Sequence, residues 1–186
     1  RNVIDQYKKI MKDYKFRGPQ NVTLELKHVI EKKYKDYQNN VSIRKGYSVT
    51  EKADGERNLL IVLDDGSFYL MNRRNTIKKL NCKCEVLKNS ILDCEYLVKD
   101  KEGNNINLLM LFDIYFYNNI DVRNRYLYRS QEEMREGKIE ISRYEYLSEV
   151  SDIIDKQLQV DDTNNIVINK KKFYFGDDSD YDNKIN

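Results

Sequence analysis

The sequence predicts an α+β fold: a largely antiparallel sheet with flanking helices. Three observations carry this. Apolar runs of strand length stand at 57–63, 90–98 and 106–117, with turn signals between them. Apolar residues recur at helical spacing toward both ends of the chain. The strand–helix alternation of a doubly wound parallel sheet is missing, and so is a G-x-x-x-x-G-K-[ST] phosphate loop.

Taken in order, Val3, Ile4, Tyr7, Ile10, Met11 and Tyr14 space out an amphipathic helix over 3–14, broken by Phe16-Arg17-Gly18-Pro19. A second helix is predicted over 22–36 from Leu24, Leu26, Val29 and Ile30, closed by Asn39 and Asn40. Strands follow at 46–51 and 57–63. The second is nearly continuous in Leu59, Leu60, Ile61, Val62 and Leu63, which predicts burial on both faces. Asp64-Asp65-Gly66 reads as a hairpin turn into a strand at 67–72. Strands at 90–98 and 106–117 are joined by the polar turn 99–105. Helices are predicted at 124–136, stopped by Gly137, and at 144–158 on Leu147, Val150, Ile153, Ile154 and Leu158. A final strand is predicted at 165–175. No internal repeat is visible, and only the acidic last ten residues resemble low complexity.

At 186 residues the chain is long enough for one domain with its own core. Its 40% hydrophobic and 34% charged residues exclude a disordered chain. A net charge of +2 imposes no global field for a nucleic-acid partner. Lys, Asn, Ile and Tyr are heavily used, Pro occurs once and Trp never, a bias toward AT-rich codons. Cys82, Cys84 and Cys94 form an odd set with no signal peptide before them, which predicts reduced thiols in a cytoplasmic compartment. Cys82-x-Cys84 lacks a second pair, and His28 is the single histidine, so no four-ligand zinc site is expected. No stretch approaches the ~20 apolar residues of a membrane span. The chain starts at Arg1 and ends in DDSDYDNKIN, which reads as a piece of a longer protein.

The stretch YSVTEKADGERNLL, 47–60, holds the chemistry. A lysine attacks only after losing its proton, and its unperturbed pKa is near ~10.4. Burial or neighbouring cations arrange that loss. Lys52, between a strand and a glycine turn, is placed where it could be held semi-buried. Gly55 permits a tight backbone with positive φ. Arg57 offers a planar fork of donors for ribose or phosphate. By spacing alone a solvated charged turn is the better fit, since short motifs recur by chance. Read the same way, Phe112 is a core aromatic, Glu95 a strand residue in a half-buried sheet, and Arg73 and Arg74 the outer face of a hairpin.

EKADGER resembles the K-x-D-G-x-R motif I of the covalent nucleotidyltransferases, which include mRNA-capping guanylyltransferases and DNA and RNA ligases. The resemblance continues in that superfamily's order. FYLMNRRN (68–75) looks like the strand after motif I, ILDCEYLV (91–98) like motif III, and LLMLFDIYFYNNIDVRNR (108–125) like motif IIIa. RGPQNVTLELKHV (17–29) and KKFYFGDD resemble the guanylyltransferase domain of capping enzymes from large cytoplasmic DNA viruses. The resemblance implies that Lys52 forms a lysyl–nucleotide adduct at the α-phosphate of GTP, and that Arg57 contacts ribose. It implies that Arg74, ahead of Arg73, contacts ribose or phosphate, that Glu95 serves ribose and metal, and that Phe112 stacks on the purine. Glu51 falls where the base edge is read. It further implies Mg²⁺ (or Mn²⁺), a 5′-diphosphate RNA end as acceptor, and triphosphatase and methyltransferase domains on a longer chain or a partner subunit. A location in the host cytoplasm or the virion follows, with no membrane partner.

Two departures stand out. Cys94 replaces the usual glycine of motif III, and with it the close backbone approach that glycine allows. No motif IV or V is recognisable after residue 125; Lys170-Lys171-Lys172 lacks the expected setting. The sequence therefore predicts a helical lead-in at 1–40 and an incomplete nucleotidyltransferase domain at 41–186, without an OB-fold. The rival readings are the adenylation domain of an ATP-dependent ligase and a non-catalytic nucleotide-binding or assembly module.

Overall fold

The structure, a computed structural model, describes residues 3–12, 18, 23, 25, 47–129, 137, 140–160 and 166–175. Its elements are α1 (Val3–Met11), β1 (Ser48–Thr50), β2 (Glu56–Val62), β3 (Ser67–Asn72), β4 (Ile77–Lys83), β5 (Ser90–Lys99), β6 (Asn105–Tyr117), β7 (Ile120–Asp121), α2 (Arg143–Gln157), β8 (Gln159–Val160), β9 (Val167–Lys170) and β10 (Phe173–Phe175). The chain divides into two compact units: Arg1–Gly18 with Lys52–Lys171, and Pro19–Glu51 with Lys172–Asn186.

The larger unit holds an eight-stranded sheet in the order β7-β6-β5-β2-β3-β4-β8, with β9 also paired to β6. Its pairs are antiparallel except β6·β9, which runs parallel over Leu108↔Val167 to Leu111↔Lys170. α2 lies in the crossover between those two strands, as a parallel connection requires. The mostly antiparallel sheet agrees with the fold class read from the sequence.

Strand alternation in β2 explains the layers. Leu60 and Val62 join Leu92, Leu109 and Leu111 in a core that includes Leu147, Val150 and Ile154 of α2. Leu59 and Ile61 join Met71, Ile91 and Tyr115 with Tyr7, Ile10 and Met11 of α1. All four β2 residues are fully buried, so the two-faced burial read from their continuous apolar run holds. Each such side chain contributes ~1.5–3 kcal/mol by leaving water. At the β2–β3 hairpin, Gly66 takes φ +80, and a Cβ there would meet the Cys84 backbone at 2.9 Å. Asp65 Oδ1 accepts the Ser67 N–H, completing a three-residue turn.

Several sequence expectations are corrected. α1 stops at Met11, where Lys12 turns to φ 56. β4, β7 and β8 are strands not read from the sequence. β4 (IKKLNCK) escapes because two lysines and an asparagine interrupt its apolar pattern, and a register shift at Ser67/Tyr69 breaks its pairing with β3. Residues 124–129 are not helical. The carbonyls of Tyr126 and Leu127 instead accept the N–H groups of Arg143 and Tyr144 at 3.0 and 2.9 Å, satisfying two open donors of the first turn of α2. The remainder of that expected helix lies almost wholly outside the described residues, as does the helix at 22–36. The predicted strand 165–175 is two strands. β9 joins β6, whereas β10 belongs to the smaller unit and pairs antiparallel with β1, from Ser48↔Phe175 to Thr50↔Phe173. Thr50 Oγ1 donates to the Lys172 carbonyl at 2.7 Å within that unit. No helix among the described residues is long and apolar enough to cross a membrane.

Candidate active site

Lys52 lies on a loop just before β2. That segment is tied down at Gly55, whose N–H donates to Glu95 Oε1 at 3.1 Å. A Cβ at Gly55 would stand 2.6 Å from the Tyr96 carbonyl oxygen and 2.9 Å from Glu95 Cγ. Glycine is therefore required by close approach to β5. The positive φ anticipated from the sequence is not adopted there. The semi-buried lysine expected from the sequence is also corrected: the Lys52 side chain is 88% exposed, its Nζ 3.8 Å from Asp54 Oδ1. A fully solvated pair of this kind holds little energy. Glu51 precedes it at the end of a segment of the smaller unit and is exposed.

Arg57 follows on β2 and is gripped from the side by Asp93 of β5. Its Nε donates to Oδ1 at 3.0 Å and its Nη2 to Oδ2 at 2.5 Å. The Asp93 carboxylate is fully buried, and it also accepts the hydroxyl of Tyr115. The Asp93 hydrogen bond raises the Arg57 pKa further, against the opposing effect of burial. The Arg57 guanidinium sits 5.6 Å from the centre of the Phe112 ring, and Lys171 Nζ is 5.9 Å from the same ring.

Two irregularities in β6 bring these groups together. Asp93 pairs with Asp113 while Cys94 pairs with Leu111, so Phe112 is an extra residue. Ile91 pairs with Phe116 while Leu92 pairs with Ile114, so Tyr115 is another. A bulge re-aims the side chain it inserts. Here one bulge sets Phe112 against Arg57, and the other sets the Tyr115 hydroxyl on Asp93. Between them Asp113, buried and 3.1 Å from Arg143 Nε, is pushed up to about 6, burial outweighing the arginine.

Glu95 is half-buried, in register with Arg57 across β2·β5. Burial raises its pKa, opposed by the Gly55 N–H and by the charges of Lys171 and Arg57. The Lys171 backbone N–H donates to the Leu111 carbonyl at 2.7 Å, so the end of β9 lies beside Phe112. Arg73 and Arg74 are exposed at the β3–β4 turn. Asn72 Oδ1 accepts the backbone N–H groups of Arg74 and Thr76 at 3.0 and 2.9 Å, and Asn72 Nδ2 donates to Glu56 at 3.1 Å, which ties this turn to the start of β2. Cys94 is accommodated without loss of the strand: it is fully buried in the α2-side core, and its Sγ donates to the Asn58 carbonyl at 3.3 Å.

Of the residues read from the sequence, Arg57, Glu95 and Phe112 come together beside the Lys52 loop, while Arg74 is exposed on its turn. Asp93, Tyr115 and Lys171 are additions. Asp93 carries a signal, an acid between Leu92 and Cys94 in a buried strand. Tyr115 carries none, because a bulge aims it. Lys171 is placed by a parallel pairing that short-range patterns do not encode. No cluster of three or more His, Cys, Asp or Glu that could hold a metal occurs among the described residues. Asp93 and Asp113 are engaged by arginines, and Glu95 is left as a hard oxygen donor at the site. A single carboxylate suits Mg²⁺, which is bound by one or two carboxylates together with substrate phosphates.

The sequence matches the family described as mRNA capping enzyme, catalytic domain, over residues 2–179. A probable mRNA-capping enzyme of Acanthamoeba polyphaga mimivirus is 38% identical over 79 residues, 41% of this chain and 6% of that protein. The match thus takes in a small part of the relative's length. The chain belongs to the mRNA capping enzyme catalytic-domain family.

Proposed function

We propose that this chain carries the guanylyltransferase chemistry of mRNA capping, with Lys52 as nucleophile. The observation that carries the reading is the convergence of Arg57, Glu95 and Phe112 on one side of a loop that presents an exposed lysine. The neutral Lys52 amine attacks the α-phosphorus of GTP. A P–N bond forms, the bond to the bridging oxygen of the β-phosphate breaks, pyrophosphate leaves, and the nitrogen releases a proton to solvent. A terminal phosphate oxygen of a 5′-diphosphate RNA end then attacks the same phosphorus. The P–N bond breaks, the lysine nitrogen takes back a proton, and GMP passes to the RNA.

Phe112 offers its ring to the purine, and Arg57 its guanidinium to the ribose. Glu51 and Arg74 are proposed at the base edge and at ribose or phosphate. Lys52 is solvated, and Arg57 and Lys171 both stand at the Phe112 ring, where they would meet the negative charge of the nucleotide. Glu95 would hold Mg²⁺ (or Mn²⁺), which would offset charge on the departing pyrophosphate. The lead-in at 1–40, the nucleotidyltransferase assignment for 41–186, and triphosphatase and methyltransferase domains on a longer chain or partner belong to the same proposal.

The test is a covalent label. The full-length protein is incubated with Mg²⁺ and α-labelled GTP or ATP, then denatured. Label from GTP alone, lost in Lys52→Ala, is the expected result. Label from ATP alone would identify a ligase-type adenylation domain, and no label from either a non-catalytic binding module.

A further inference from the structure

We propose that Asp93 and Tyr115 are positioning residues that lock the Arg57 guanidinium for the ribose of the nucleotide. The inference rests on the guanylyltransferase reading. Its starting point is a buried polar cluster that the core does not need. Asp93 is fully buried and Tyr115 is 3% exposed, with Leu59, Ile61, Met71 and Ile91 buried on the layer that holds Tyr115. A buried ion pair is no better for stability than apolar residues of the same volume, so its presence points to a specific geometry.

That geometry is a two-stage grip. Asp93 binds Arg57 through Nε and Nη2, the side-on edge, which fixes the guanidinium plane. The Tyr115 hydroxyl bonds Oδ2, the oxygen that receives Nη2, so the carboxylate cannot swing away. The bulge that delivers Tyr115 and the bulge that delivers Phe112 lie on either side of Asp113. One strand therefore sets both the arginine's anchor and the ring beside it. An arginine free in water loses rotamer freedom when it meets a ligand, whereas one already held by its neighbours has lost it on folding. The ligand class that gains is a nucleoside triphosphate with ribose hydroxyls in reach of that guanidinium.

The experiment compares lysyl–nucleotide formation from GTP and from 2′,3′-dideoxy-GTP in the full-length protein, for wild type, Tyr115→Phe and Asp93→Asn, with thermal melts of each. Tyr115→Phe removes one oxygen and keeps the ring in the core. The expected result is about a tenfold loss of adduct-formation rate with GTP in Tyr115→Phe, and a larger one in Asp93→Asn. Wild type and variants should differ little on the dideoxy nucleotide, because the positioned contact is absent there. Equal losses on both nucleotides, or no loss with GTP, would overturn the proposal. So would a Tyr115→Phe protein that fails to melt cooperatively, since the hydroxyl would then serve the fold itself. Absence of adduct in the wild type with either nucleotide would bring down the guanylyltransferase reading, and this proposal with it.

Discussion

Single residues at the site are set by contacts that leave little slack. Gly55 is the clearest: any side chain there starts 2.6 Å from a β5 carbonyl, and backbone cannot move aside as a flexible side chain does. Gly55→Ala is expected to cost ~1–3 kcal/mol of unfolding free energy, as overpacked sites do, measured by urea denaturation. The same substitution pushes the Lys52 loop off Glu95, so the labelling yield with GTP should fall further than the stability loss explains. A variant with wild-type stability and labelling would show that the loop is not seated on β5. At this scale residue type and motif singled out Lys52, Glu95 and Phe112 in the sequence, and the structure brings Glu95 to the Lys52 loop and Phe112 to Arg57. It was silent on partners. Nothing in EKADGER says that Arg57 is held by an aspartate of another strand, or that the lysine stays in water.

Elements form where local signals and tertiary contacts agree, and α2 illustrates the agreement. Ser142 accepts the Glu145 N–H while Glu145 accepts the Ser142 N–H, a closed capping box. Arg129 adds a bidentate grip on the same glutamate. Burial alone would raise the Glu145 pKa, but the bonds from Arg129 and Ser142 outweigh it and hold the group at about 2. A depressed acid stabilises the fold above its unfolded pKa and loses that contribution as pH falls through the folded value. Glu145→Gln is therefore expected to flatten the loss of stability between about pH 4.5 and 2. Ser142→Ala should cost ~1 kcal/mol at neutral pH. Both are read from urea midpoints across pH, and an unchanged acid limb in Glu145→Gln would contradict this account. Over 124–129, the described part of the expected helix at 124–136, no helix forms, for the complementary reason. Its first residues have helical spacing, but their carbonyls cap α2 and their arginines bind Tyr146, Ile141 and Glu145. Tertiary demand overrode a local pattern. β4 was illegible because its register is set by β3, not by its own alternation.

For the larger unit as a whole, α1 and α2 cover opposite faces of one sheet, and the candidate site shares its face with α1. Tyr115 links them: its ring packs in the cluster with Tyr7, Ile10 and Met11, while its hydroxyl reaches Asp93. Tyr7→Ala should cost ~3–5 kcal/mol, as large aromatic truncations do, and should also slow adduct formation with GTP. Full labelling at the wild-type rate, in a variant still folded but that much weaker, would show that the α1 layer and the site are independent. The sequence displayed this layering in outline, through apolar runs of strand length in the middle and helical spacing toward the ends. It did not display the parallel strand, because pairing between β6 and β9 joins segments roughly sixty residues apart. That separation bears on how the protein is made. The hairpins β2–β3 and β5–β6, which carry Arg57, Glu95 and Phe112, close locally, and they leave the ribosome before α2 and β9. Lys171 arrives only after α2 and β9 have been synthesised and the long loop has closed. On the proposed reading, Arg57, Glu95 and Phe112 are thus in place in the nascent chain before Lys171 joins them, in the slow, non-local phase of its folding.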